Sequence, residues 1–228
     1  MPLTGNPEID CSDAEYIVGS DECGYGAWAG PLVVCAAIVS REWPLASEVT
    51  DSKKLNHKRR VALSKKILTG ALCNVITVPS KEIDAKGVYP CLLEAHARAI
   101  QKVIDRHRAL GCKGRELVIV DGNLPILGAI SLPKADLLVP AVSAASIVGK
   151  VYRDLHMEKL ALEYPQYGFE SSRGYGTKQH QEALEKYGPC PIHRRSYQPI
   201  ASLIEAAQDQ NPSESPNLDD FLAHLGQE

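Results

Sequence analysis

The sequence predicts an α/β protein that carries a small helical appendage at its C-terminal end. Three observations lead there. Apolar runs of strand length come early, and helical patterns collect later. The 228 residues suffice for one good core plus an appendage, but not for two full domains. Hydrophobic content of 44% with 23% charged residues is ordinary for a globular chain, and no apolar run approaches the roughly 20 residues of a membrane span.

Residues 1–15 read as a loose arm. Tyr16-Ile17-Val18-Gly19 is a short strand, and the near-continuous apolar run from Leu32 to Val39 is a strand buried on both faces. Gly24, Gly26, Gly30 and Pro31 make a tight connection, so the two strands should pair antiparallel. Asn56 is a natural cap for a basic helix to about Thr69, and Ala71 to Val78 is a third strand. Pro90 stands in the first turn of a helix with Leu93, Ala97, Ile100 and Ile104 on one face, closed by Gly111. A strand at 117–120 and a short apolar segment at 129–132 follow. The helix from about Val142 to Glu163 has an apolar stripe of Ala144, Ile147, Val148, Val151 and Leu155, with Ser143, Ser146, Lys150 and Arg153 recurring opposite. Past Tyr164-Pro165 the chain becomes loop-rich and basic, with helices near 178–187 and 199–208. The expected organisation is a main domain over 16–163, an appendage over 164–207, and an acidic, disordered tail over 208–228.

Seven cysteines without any Cys-x-x-Cys pair read as reduced thiols, and the polar N-terminus has no signal-peptide pattern, so a cytoplasmic location is expected. The net charge is −3, but ten acids and no Lys or Arg lie in residues 1–15 and 205–228; setting those ten aside leaves +7. A basic body with acidic ends is compatible with phosphate binding.

The strongest chemical signal is a set of acids at strand ends. Asp21 and Glu22 run into Gly24-Tyr25-Gly26, Asp121 ends the run Glu116-Leu117-Val118-Ile119-Val120, and Asp136 follows in Lys134-Ala135-Asp136. Carboxylates left in apolar surroundings are costly without a partner, and oxygen-only ligation suits Mg²⁺ or Mn²⁺. Four converging acids would hold two cations roughly 3.5–4 Å apart, the spacing used for in-line phosphoryl displacement. Taken singly, Asp121 and Asp136 are equally well turn or capping acids. Gly24, Tyr25 and Gly26 expose main-chain groups to a close ligand, although a hairpin uses glycines too. Lys53 and Lys54 open a basic cluster that is either phosphate-facing or merely solvated. Ser146, Lys150 and Arg153 share a face that looks either into the acidic site or to solvent. Tyr175, between glycines, could stack on a base or sugar or simply anchor its loop. His193 reads as structural, with phosphate contact through His193-Arg194-Arg195 as the other option.

These residues resemble the type 2 ribonuclease H (ribonuclease HII) family. The motifs are Gly19 through Pro31, Asp51-Ser52-Lys53-Lys54-Leu55, Val120-Asp121-Gly122-Asn123, Ser143 through Ile147 with Lys150 and Arg153-Asp154, Tyr164-Pro165-x-Tyr167-Gly168, Gly174-Tyr175-Gly176-Thr177 and His193-Arg194-Arg195-Ser196. The resemblance implies a ribonuclease H-like fold with a central mixed β-sheet flanked by helices. It also implies hydrolysis of RNA in RNA–DNA hybrids and cutting 5′ to single ribonucleotides embedded in duplex DNA, with two Mn²⁺ or Mg²⁺ ions. By motif, Asp21, Glu22, Asp121 and Asp136 take the metal-ligand roles, Gly24, Tyr25 and Gly26 read the ribose 2′-hydroxyl, and Tyr175 packs on the next deoxyribose. The chain departs from the pattern at Tyr25, where Arg is usual, at Gly149, where Ala is common, and at Gly87, where Asn is frequent. Two rival readings remain: a hybrid-binding protein that does not cut, and an enzyme for a DNA junction. A monomer is expected. In the tail, Leu218, Phe221, Leu222 and Leu225 are spaced for one helical face that could meet a sliding clamp.

Overall fold

A computed structural model describes residues 4–49, 52 and 55–210. Five strands form one mixed sheet, β1 (Tyr16–Cys23), β2 (Leu32–Ser40), β3 (Leu72–Val78), β4 (Glu116–Asp121) and β5 (Ile130–Leu132), in the order β3-β2-β1-β4-β5. β1 pairs antiparallel with β2, and β2 with β3; β1 pairs parallel with β4, and β4 with β5. The expected hairpin is therefore present. β1 is longer than its apolar run, because its acidic end still pairs with β2.

Helices cover both faces. They are α1 (Pro7–Asp10), α2 (His57–Gly70), α3 (Ser80–Lys86), α4 (Val88–Ala109), α5 (Ala135–Leu138), α6 (Pro140–Glu163), α7 (Phe169–Ser172), α8 (Lys178–Tyr187) and α9 (Ile200–Gln210). Asn56 caps α2 as expected, accepting from the Arg59 N–H at 2.9 Å. Side chains alternate along each strand, so Ile17, Cys35, Ala37 and Ile119 meet α6, while Val18, Val34, Ala36 and Val120 meet α4. Every residue of β2 up to Val39 is buried. A third cluster joins Met157, Tyr167, Phe169, Leu184 and Ile200 of the appendage to Ala29 of the β1–β2 connection.

Helix α6 lies unusually close to the sheet. A Cβ on Gly19 would come within 2.2 Å of the Ala141 and Val142 main chain, and one on Gly149 within 3.2 Å of the Cys35 Cβ. Gly149 thus gives up helix propensity where the helix and β2 nearly touch.

Three expectations need correction. Residues 4–15 do not form a loose arm: Ile9 and Ala14 are buried in the core, and Arg41 donates to the carbonyls of both. The buried face of α4 is Cys91, Leu92, Ala95, His96, Ala99, Ile100, Val103, Ile104 and His107, whereas Ala97 is exposed. Two histidines inside the stripe disguised its true phase. The N-terminal half of α6 is buried all round, and Leu155 of the expected apolar stripe is exposed. Among the described residues no helix is long and apolar enough to cross a membrane.

Candidate active site

The register of the parallel pair places the acids. Ser20 stands beside Val120, so Asp21 and Asp121 come next to each other just where the pairing of β1 with β4 ends. Open α/β sheets characteristically bind ligands at such a point, where connections diverge to opposite sides. β1 continues through Cys23 and turns away at Gly24, whose φ of 91° suits glycine. Asp21 shares a face with α6 and hydrogen-bonds Ser146, whereas Glu22 faces the α4 side.

Asp21, Glu22, Cys23, Gly24, Tyr25, Gly26, Ser52, Asp121, Ser146, Lys150 and Tyr175 line an open cleft of about 330 Å³. The structure thus brings together nine of the sequence-predicted site residues and Gly24's neighbour Cys23, which sequence reading did not name as a site residue. Ser52, also passed over, sits 3.0 Å from the Ser146 hydroxyl. Lys150 pairs with Asp154 at 2.7 Å along its own helix. Asp136 is buried in the first turn of α5 and is not part of the described lining. It lies beside Ala135, whose N–H donates to Asp121 at 2.7 Å. Lys53 and Lys54 lie outside the described residues.

Arg153 does not face the cleft. Its guanidinium is wholly buried and donates to the carbonyls of Pro31, Ala29 and Arg173, with its carbon 5.3 Å from the Tyr175 ring centre. A polar residue at helical spacing looks the same in sequence whether water or buried carbonyls satisfy it. Arg194 is likewise buried and donates to Gly24, Tyr25 and Gly30 carbonyls at 2.6–3.2 Å, so it builds the glycine loop from beneath. The same loop is tied to the appendage by the Trp28 N–H on the Gly174 carbonyl and the Gly30 N–H on that of Ile192.

Tyr175 is positioned by a buried histidine pair. The Cys190 N–H donates to His193 Nδ1 at 2.9 Å, so His193 carries its hydrogen on Nε2 and donates to His180 Nε2 at 2.9 Å. His180 in turn donates from Nδ1 to the Tyr175 carbonyl at 2.9 Å. Both rings are fully used when neutral, which supports the structural reading of His193. Burial, then the adjacent His180, push His193 down to about 4, and burial lowers His180 as well. A folded value below the unfolded one leaves stability intact above about pH 6.5 and removes it as pH falls toward 4. We expect a loss of about 2 kcal/mol from His193 alone by pH 5. Urea midpoints at pH 7.5 and 5 in the parent and in His193→Gln would measure it; equal pH dependence in both would contradict it.

Electrostatics favour a cation in the cleft. Burial, then the Glu22 carboxylate, push Asp21 well above the usual carboxylate range, with Asp121 adding to the rise and Ser146 opposing it. The three carboxylates of the cleft offer oxygen donors, which suits Mg²⁺ or Mn²⁺. Among the described residues, no group of three or more His, Cys, Asp or Glu side chains is placed as it stands to hold a metal ion. An open site fits Mg²⁺, which keeps waters and uses one or two carboxylates with substrate phosphate.

A family model described as Ribonuclease HII matches residues 18–200. A Ribonuclease HII of Polaromonas sp. is 41% identical over 192 residues, covering 82% of this chain and 92% of the relative. Among solved structures, ribonuclease H2 from Pyrococcus horikoshii superposes with a TM-score of 0.69 at 26% identity, covering 84% of this chain and 98% of that one. The ribonuclease HII in a PCNA complex from Archaeoglobus fulgidus superposes with a TM-score of 0.66 at 28% identity, covering 79% and 94%. The mixed sheet with paired acids at its switch point and the match across nearly the whole folded body agree: the chain belongs to the ribonuclease HII family.

Proposed function

We propose that this chain is a metal-dependent endoribonuclease that hydrolyses RNA in RNA–DNA hybrids and cuts 5′ to a single ribonucleotide embedded in duplex DNA, leaving 3′-hydroxyl and 5′-phosphate ends. The observation that carries the reading is one cleft lined by Asp21, Glu22 and Asp121 together with the Gly24-Tyr25-Gly26 loop and Tyr175. Asp21, Glu22 and Asp121 would hold the ions, with Asp136 completing the set from α5. When bound, two divalent cations supply an activated water and charge stabilisation for the departing oxygen. The loop's main chain, fixed from below by Arg194, would meet the ribose 2′-hydroxyl, which distinguishes RNA from DNA. Tyr175, exposed at the cleft, would pack against the neighbouring sugar. Lys150 would lend positive charge to the phosphate path, and Ser146 would orient Asp21.

The test is a duplex with one embedded ribonucleotide, incubated with Mn²⁺ and read by end analysis. Cleavage 5′ to the ribonucleotide is expected. Binding without cleavage would favour a protein that only holds hybrids, and equal cleavage of all-DNA duplex would favour a junction enzyme.

Tyr25 is the chain's own departure. Its carbonyl is held by Arg194 and Tyr197, while its side chain is 39% exposed. Tyr25→Arg therefore leaves the loop intact and should steepen the salt dependence of duplex binding by about one phosphate contact. An unchanged slope of log K against log salt would show that this side chain points away from the backbone. Contact with a sliding clamp through the tail is also proposed; the tail lies outside the described residues, and the Archaeoglobus relative was solved in a PCNA complex.

A further inference from the structure

We propose that His96 is a positioning residue for Glu22, holding that carboxylate through a hydrogen on Nε2. The inference rests on the reading of Glu22 as a working acid of the cleft. His96 is in the middle of α4 and is fully buried under the sheet, on the opposite side from α6 and Asp21. An imidazole in that place is costly unless both nitrogens are used.

Its Nδ1 lies 2.8 Å from the Ser20 hydroxyl, one residue before the acid pair. The Ser20 oxygen is also 3.1 Å from the Cys35 carbonyl, which can only accept. The ring's other nitrogen, Nε2, has no hydrogen-bond partner within normal reach, and the nearest charged group is the Glu22 carboxylate, 3.7 Å away. Two proton arrangements avoid setting one acceptor against another. If Ser20 gives its hydrogen to the Cys35 carbonyl, Nδ1 must donate to Ser20. The ring then faces Glu22 without a clash only when Nε2 also carries a hydrogen. If Ser20 instead donates to Nδ1, the neutral ring bears its single hydrogen on Nε2. In both of these arrangements the hydrogen points at Glu22.

The gap is about 0.7 Å longer than a good N–H···O bond, which a small turn of the Glu22 side chain closes. Glu22 has the freedom for that turn, since its carboxylate stands at the cleft wall with 28% of its side chain exposed. Asp21 gets its orientation from Ser146 and from the Glu22 N–H, which donates to it at 2.8 Å. Glu22 has no comparable support among the described contacts other than His96. The two acids are thus steadied from opposite sides of the sheet, Asp21 by α6 and Glu22 by α4.

The first test is nitrogen-15 NMR of the histidine side chains in the full metal-free chain, with His96 assigned by its loss in His96→Gln. A hydrogen-bearing Nε2 signal that shifts in Glu22→Gln is expected. A lone-pair Nε2 signal, or one that Glu22→Gln leaves in place, would overturn the proposal. The second test uses two amides of similar polarity. Gln sets its NH₂ near the ring's Nε2, and Asn sets its own near Nδ1. His96→Asn should lower kcat by about 10-fold or more with little change in KM, and His96→Gln should restore most of it. Equal kcat in the two variants would overturn the proposal. Should the parent chain lack nuclease turnover, the function would fall, whereas the nitrogen signal is read without substrate or metal and still decides the His96–Glu22 contact.

Discussion

Asp21→Asn is expected to abolish cleavage and, at neutral pH, to make the metal-free protein harder to unfold. The two effects share one cause. Asp21 is buried beside Glu22 and Asp121, and its proton affinity is raised accordingly. A folded pKa above the unfolded one means that the ionised form is disfavoured in the fold, so the penalty is absent below about pH 4 and complete above the folded value. Asparagine keeps an acceptor for the Glu22 N–H and removes the charge. A gain of about 1–2 kcal/mol at pH 8 is expected, disappearing near pH 4. For a chain of this size each kcal/mol moves the midpoint by about 2–4 °C. Cleavage should fall by more than the about 10–100-fold that supporting residues cost. Thermal melts without metal and single-turnover cleavage with Mn²⁺ check both signs; retained turnover or a lowered midpoint at pH 8 would contradict the account.

Arg194→Ala should be the most damaging single change in the appendage. The guanidinium has no exposure, and its partners are three main-chain carbonyls and the Tyr197 hydroxyl, with its carbon 5.0 Å from the Tyr197 ring centre. Truncation removes the guanidinium from all three carbonyls, leaving Tyr25's with the Tyr197 hydroxyl and Gly24's with the Ala27 N–H, at a cost of about 3 kcal/mol. The glycine loop would lose its support, so kcat/KM should fall along with the midpoint, by about 10 °C. Lysine offers one compact charge instead of a fork and should recover only part of the loss. Arg195→Ala is the control, since Arg195 is exposed and its main chain, not its side chain, binds Asp84; its effect should stay within about 0.5 kcal/mol. Equal melting of the two alanine variants would contradict the role given to Arg194.

Much of the fold was legible because local signals agreed. The apolar run of β2, the Asn56 cap and the glycine connection after Glu22 each have one simple solution. The meeting of Asp21 with Asp121 was foreseeable only as a convergence of strand ends; the parallel register that makes them neighbours depends on pairing across a hundred residues. Other features were hidden for physical reasons. His96 and His107 look polar in a hydrophobicity pattern, so the α4 face was read a fraction of a turn away. Arg153 and Arg194 look like surface cations until the carbonyls that consume them are seen. His180, which anchors Tyr175, gave no signal apart from its spacing within α8, and Ser52 gained meaning only from its contact with Ser146.

The most direct test of the whole account is anomalous scattering from crystals soaked in Mn²⁺ and collected at the manganese edge. The account predicts density in the cleft within ligating distance of Asp21, Glu22 and Asp121, strengthened when a ribonucleotide-containing duplex is bound and lost in Asp21→Asn. Manganese that binds elsewhere, or a cleft that stays empty while the same preparation cuts its substrate, would contradict it.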